Sequence, residues 1–480
     1  MIEMVLLSAV MAAAPQTEAD SSLTVLTLED AIKIALSENA AVKVADKEIE
    51  RTQYAKKGSY AALFPQVDGT GSYQRTIKKQ VMYMDGGGFD IAGMVQPLLQ
   101  PLYKQHPDLP DPFDVKPDPE EGGGSSNEGI SVGRWNTWSV GISASMPLVN
   151  AQLWKSLKIS GEDVELAVEK ARGSRLETVT QVKNTYFAIL LAKEAFNVYK
   201  KVYENALENC QLTQKKYNSG KASELDLTRA KTALANSIPN VYDSENAIIL
   251  ALWQLKAVMG INLDENIDVA GSLMDYSQSM EREIVDMEER QDLTLYNNSS
   301  LRQLAIQAEE LANAVKVQQY AYIPSLAVAF SYNYNAMTND FNFSEYKWTP
   351  YSYVGLSLNI PIFSGGKRLN SVRQARVQAQ ELDIQRENTE RQLRVAIRQY
   401  LNSMETAVKS YASAQDALGT AQKAYDIAAK SYNVGRSTLT DLNDAQLALV
   451  QTQLTVSQAV YTFVTSKADL EQILGADFTE

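Results

Sequence analysis

The 480-residue sequence contains one cysteine, Cys210, and one histidine, His106. These scarcities exclude an intrachain disulfide, a Cys/His zinc cluster and a Cys–His nucleophile pair. No stretch approaches the roughly 20 consecutive apolar residues that a membrane-crossing helix needs, so any membrane span has to be made of strands. Positive charge is in deficit as well: 45 Lys and Arg face 58 Asp and Glu, a formal net charge of −13. That balance argues against nucleic acid as a partner. His106 lies near Asp108, Asp111 and Asp114, but Pro107, Pro110 and Pro112 break any regular ligand geometry there. Gly365-Gly366-Lys367 lacks the spacing of a phosphate loop. No cofactor and no metal is expected, and no paired catalytic groups suggest an enzyme.

What the sequence does have is a long, narrow seam. From Ile397 through Tyr400, Met404, Ala407, Tyr411, Ala414 and Leu418 to Tyr432, small or apolar residues recur in alternating steps of three and four. This is the 3.5-residue period of a coiled-coil stripe. The chain turns at Tyr432-Asn433-Val434-Gly435, and the same rule resumes from Leu442 to Ile473. An offset of 215 residues reproduces the pattern, with Val182 to Tyr217, including Cys210 and Thr213, followed by Leu227 to Val258. The hairpin therefore occurs twice, the mark of an architecture made by duplicating one unit. At about 1.5 Å per residue, the run from 151 to 217 spans on the order of 100 Å, longer than a compact domain accommodates.

Strict alternation precedes each hairpin. Val140, Ile142, Ala144, Met146 and Leu148 stand opposite Ser139, Gly141, Ser143 and Ser145. In the second repeat Leu326, Val328, Phe330 and Tyr332 alternate with Ala327, Ala329 and Ser331, and Val354, Leu356 and Leu358 with Gly355 and Ser357. Val67 to Gln74 alternates similarly. One oily face and one of tiny polar side chains suit strands between lipid and a water-filled lumen, and about ten residues suffice to cross a bilayer with tilt. Trp135, Trp138, Tyr346, Trp348 and Tyr351 gather at the loop-side strand ends, where a barrel carries an aromatic girdle.

These signals divide the chain. Residues 1–20 read as a signal peptide and tail, without the usual basic start. The first repeat, 21–260, holds a helix at 28–64, strands at 66–75 and 138–149, and helices at 151–217 and 223–260. Between its strands lies a long exposed loop, 76–134. An acidic linker, 261–292, leads to the second repeat, 293–480, with a helix at 293–323, strands at 325–335 and 351–363, and helices at 366–432 and 438–474. Pro239 is expected to kink the helix that contains it.

Four strands cannot close a barrel, and an open edge in hydrocarbon leaves backbone groups unpaired, so the chain has to assemble. Two copies give eight strands and three give twelve with room for a channel; the small lumen residues favour the wider ring. Residues alone leave a second architecture open, a soluble or peripheral coiled-coil interaction protein with a small sandwich domain.

The duplicated order helix, strand, strand, helix, helix, the junction Ile360-Pro361-Ile362-Phe363-Ser364-Gly365-Gly366 and the Tyr432-Asn433-Val434-Gly435 tip resemble the TolC-like outer membrane efflux proteins. The resemblance implies a mostly helical homotrimer. Its strands form a twelve-stranded transmembrane β-barrel in outer-membrane lipid, and its helices form a coiled-coil duct across the periplasm. The tips at Asn218, Ser219, Gly220 and Lys221 and at Asn433, Val434, Gly435 and Arg436 meet a periplasmic adaptor coupled to an inner-membrane pump. It further implies that Asp441 and Asp444 ring a constriction and that Tyr432 bonds Asp226. The first repeat departs from the pattern, with Met146-Pro147-Leu148-Val149-Asn150 lacking the glycine pair and Ser219 in place of valine at its tip. Ser437 stands where the family has a basic gate residue, and Arg229 is the counterpart of Asp444. Ser223 with Asp226, and Thr438 with Asp441, also fit a helix-capping box.

Overall fold

A computed structural model describes residues 23–82, 101, 104, 130–280, 282–284 and 294–476. The signal-peptide stretch 1–20 and the residues His106, Asp108, Asp111 and Asp114 lie outside these. The chain forms two compact units that do not follow the sequence repeats: each unit draws segments from both.

The first unit contains the four-stranded sheet. Its strands are β2 (Gln66–Arg75), β5 (Asn136–Val149), β7 (Ser325–Thr338) and β8 (Thr349–Asn359), antiparallel and in the order β2-β5-β7-β8. Register brings the oily rows of neighbouring strands together. Ile142 pairs with Tyr332 and Gly69, Ala144 with Phe330 and Val67, and Phe330 in turn with Val354. The resulting apolar face is open, with Val354 72% and Leu356 69% exposed. The opposite face sets Gly141 against Asn333 so closely that a Cβ at 141 would meet the Asn333 side chain. Pro147 lacks an amide hydrogen for the ladder, and the register shifts beside it, between Pro147 and Val149. At the loop-side ends Tyr73 lies 4.3 Å from Trp138, Trp138 meets Phe343 edge-on at 5.3 Å, and Phe343 lies 4.9 Å from Tyr346. The long exposed loop expected at 76–134 carries a short ladder at its described ends, where β3 (Gln80–Met82) pairs with β4 (Ile130–Val132). Three-residue strands are too short to show a period.

The second unit is helical, and its elements are α1 (Leu28–Glu38), α2 (Ala40–Ala61), α3 (Ala151–Asn218), α4 (Glu224–Met259), α5 (Ser299–Tyr320), α6 (Lys367–Asn433) and α7 (Leu439–Leu474). The helix expected at 28–64 is two helices. Asn39 parts them: its Oδ1 accepts from the Ala41 and Val42 amides at 2.7 and 3.2 Å, and its Nδ2 donates to the Val258 carbonyl at 2.6 Å. Helix α4 runs unbroken through Pro239.

The largest core lies midway along the long helices, where Tyr186, Ile189, Leu255, Met259, Met404 and Phe463 are buried together. Each such side chain contributes about 1.5–3 kcal/mol relative to exposure. Into this core goes much of the stretch expected to be a patternless linker at 261–292. Its strand β6 (Ile267–Val269) pairs in parallel with β1 (Thr24–Leu26), and a 3-10 helix follows at Leu273–Ser279. Tyr186 clamps the pair, its hydroxyl donating to the Ala270 carbonyl at 2.7 Å and leaning on Leu26 O at 3.2 Å. Burial pushes that phenol up to about 12.

Candidate functional site: the paired hairpin tips

Each long hairpin reverses in the same way. Helix α3 ends where Gly220, at φ 69°, lets its amide reach the Tyr217 carbonyl at 2.9 Å and the Lys221 amide reach Lys216 O at 2.8 Å. Helix α6 ends where Gly435, at φ 77°, bonds Tyr432 O at 3.0 Å while Arg436 N bonds Ser431 O at 2.8 Å. Both are Schellman closures, which use a left-handed residue to satisfy the last carbonyls.

The returning helices start with matching capping boxes. Ser223 Oγ donates to Asp226 Oδ2 at 2.7 Å and accepts from the Asp226 amide at 3.1 Å. Thr438 Oγ1 does the same with Asp441, at 2.7 and 3.2 Å. The Thr438 amide, then its hydroxyl, hold the Asp441 carboxyl below its usual value of 3.8.

Tyr432 is buried in a small cluster with Ala230, Leu439 and Leu442, against which Cys210 and Tyr425 pack. Its hydroxyl lies 2.5 Å from Thr213 Oγ1. The single hydroxyl proton of Thr213 goes to the Asn209 carbonyl at 2.8 Å, so Tyr432 is the donor and Thr213 accepts. Lys216 completes the contact: its Nζ donates to the Tyr432 carbonyl at 2.9 Å and sits 4.4 Å from the ring centroid. Three side chains thus tie the end of α3 to the end of α6.

The expected partnership of Tyr432 with Asp226 is not formed within the chain: Thr213 occupies the phenol and Ser223 the carboxylate. Spacing puts Thr213 in the seam without distinguishing it from packing residues, and nothing in the sequence singles out Lys216. Asn218, Ser219, Gly220 and Lys221 are exposed at one turn, and Asn433, Val434, Gly435 and Arg436 at the other. Asp444 is exposed and, among the described residues, its carboxylate has no hydrogen-bond or ion-pair partner. Ser437 donates to the Ala428 carbonyl at 3.3 Å. The arrangement offers no nucleophile beside a base. It offers two exposed turns, a buried polar tie between them, and carboxylates in the first two turns of the returning helices.

Residues 117–261 and 291–476 match the family model described as outer membrane efflux protein. The outer membrane protein TolC of Vibrio cholerae serotype O1 is 20% identical over 339 residues, covering 70% of this chain and 76% of that protein. The alkaline protease secretion protein AprF of Pseudomonas aeruginosa is 23% identical, covering 70% of this chain and 69% of that one. The CmeC outer membrane channel of Campylobacter jejuni superposes with a TM-score of 0.67 at 17% identity, over 99% of this chain and 94% of that chain.

Proposed function

This chain belongs to the outer membrane efflux protein family, and from that premise we propose that three copies form a passive exit duct in a tripartite efflux or type I secretion system. It is an outer-membrane protein with a periplasmic part. One observation carries the proposal. A sheet with one open apolar face and two edge strands, β2 and β8, unpaired on their outer sides among the described residues, is joined in one chain to two hairpins whose first arms run 68 and 67 residues. In hydrocarbon the edges have to pair with other copies, and three four-stranded sheets make a twelve-stranded ring wide enough to conduct.

In that assembly the two exposed turns present Lys221, Asn433, Val434 and Arg436 to a periplasmic adaptor, which couples the duct to an inner-membrane pump. Asp441 and Asp444, repeated by symmetry, concentrate negative charge about a constriction and favour cations. The duct passes its cargo without chemistry of its own. Planar-bilayer recordings test the reading: discrete conductance from a detergent-resistant trimer is expected, and neither conductance nor trimer would sink it. Asp441→Asn with Asp444→Asn is expected to lower cation preference. Unchanged selectivity would leave Asp441 with its capping role alone. Crosslinking from position 433 or 221 identifies the adaptor.

A further inference from the structure

Residues 52–64, 150–161, 311–322 and 363–380 hold nine lysines and arginines and no aspartate or glutamate. At the average frequency of this acidic chain, the same stretches would hold about seven carboxylates. These are the helix ends through which the chain passes to or from the four long strands: α2 ends at Ala61 before β2, α3 starts at Ala151 after β5, α5 ends at Tyr320 before β7, and α6 starts at Lys367 after β8. Lys57, Lys155, Lys316 and Lys367 each lie within nine residues of the adjoining strand.

The four ends are neighbours within the helical unit. Lys56 lies against Gly161 of α3. Gln152 Nε2 of α3 donates to the Val317 carbonyl of α5 at 3.2 Å. Arg368 of α6 sits over the Tyr322 ring, 5.7 Å from its centroid. The cations therefore line one continuous arc. Among the described residues the side chains of Lys155, Lys316, Lys367, Arg373 and Arg376 have no hydrogen-bond or ion-pair partner. Desolvation, and then the nearby Lys316 and Lys158, hold the Lys155 ammonium below its ordinary value. Glu162, just inside α3, pairs with Lys158 at 3.4 Å; the five cations left without such a partner repel one another, and the repulsion is relieved when an anion arrives.

Aromatic side chains stand among them. Trp154, Tyr322 and Phe363 are 51%, 48% and 87% exposed. Exposed aromatics interleaved with Lys and Arg are the composition of a membrane–water interface, where rings sit at headgroup depth and cations take phosphates. We propose that this arc is a lipid-binding collar that selects anionic phospholipid headgroups in the periplasmic leaflet of the outer membrane. The occupant is set by charge complementarity, an arc of nine cations without a carboxylate in the same stretches on a chain that is otherwise anionic, and by the short tether to strands with an open apolar face.

The test uses the full chain, reconstituted in phosphatidylcholine nanodiscs with and without phosphatidylglycerol, with the lipids that remain bound on re-extraction counted by mass spectrometry. Phosphatidylglycerol is expected to be retained over phosphatidylcholine, by less as salt rises. The variant Lys155→Gln/Lys316→Gln/Lys367→Gln/Arg373→Gln loses the preference by about fivefold per cation removed. A control, Lys200→Gln/Lys201→Gln/Lys409→Gln/Lys423→Gln, keeps it. Equal retention of both lipids by the unaltered protein, or a preference indifferent to salt, overturns the proposal without recourse to any variant. Loss of assembly by the collar variant in lipid-free detergent also overturns it, because the cations then serve a contact between copies.

Discussion

Tyr217 and Tyr432 occupy the same place in the two copies of the hairpin, 215 residues apart, yet Tyr217 is 40% exposed and Tyr432 only 7%. Everything local around them matches: the left-handed glycine, the pair of closing backbone bonds and the capping box. The side-chain fates differ because only one turn lies where its tyrosine can reach Thr213 and Lys216 of the other hairpin. Duplicated sequence produces duplicated backbone, and the asymmetry enters with packing. The first tip supplies polar partners while the second supplies the ring, so the pair is fastened from one side.

The widest test of that asymmetry is truncation. Tyr432→Ala removes a buried ring and its tie, and is expected to cost about 3 kcal/mol or more. Tyr217→Ala is expected to cost within about 0.5–1 kcal/mol. Amide hydrogen exchange at residues 213–226 and 428–442 reads both, and equal acceleration by the two variants would break the comparison. Next in size, Gly220→Ala and Gly435→Ala meet nothing within 4 Å of the added carbon. Each therefore carries only the left-handed backbone cost of about 1–2 kcal/mol. Nearly equal losses, read as protease cleavage at the turn, are expected if the two backbones are equivalent.

Smaller again, Tyr432→Phe keeps the ring and removes the donor to Thr213. A loss of about 1 kcal/mol in local opening is expected, and Thr213→Val tests the same bond from the other side. The smallest effect is one of pH. Thr438 holds the Asp441 carboxyl below 3.8, so the capped second tip is intact above the ordinary carboxylate range and loosens as pH falls through the lowered value. Exchange at residues 438–442 is expected to rise there, and Thr438→Ala is expected to abolish that acid-dependent component.

The features legible beforehand share a property: they are periodic or local. A stripe every 3.5 residues, alternation over eight to ten, Ser223 three residues before Asp226 and glycine after a final tyrosine each specify the conformation of the residues that carry them. Features without a period were not legible. The strand Ile267–Val269 is three residues long, and it exists because Thr24–Leu26, some 240 residues earlier, pairs with it and Tyr186 clamps both. The break at Asn39 depends on a carbonyl at Val258. At the tips, Asp226 and Asp441 read equally well as caps and as constriction groups. The chain forms the caps, because the hydroxyl that satisfies each carboxylate is only three residues away.

By itself the sequence determined the class of this protein, two copies of a strand-and-hairpin unit with an oily strand face and seamed helices. Side-chain period follows directly from backbone repeat. Only the tertiary structure decided that four separated strands align their oily rows on one face and that both repeats contribute to each compact unit. It also decided which of two equivalent tyrosines is buried, and that cations from four distant segments stand in one arc. Those outcomes depend on which remote residues meet, and no local pattern encodes the meeting.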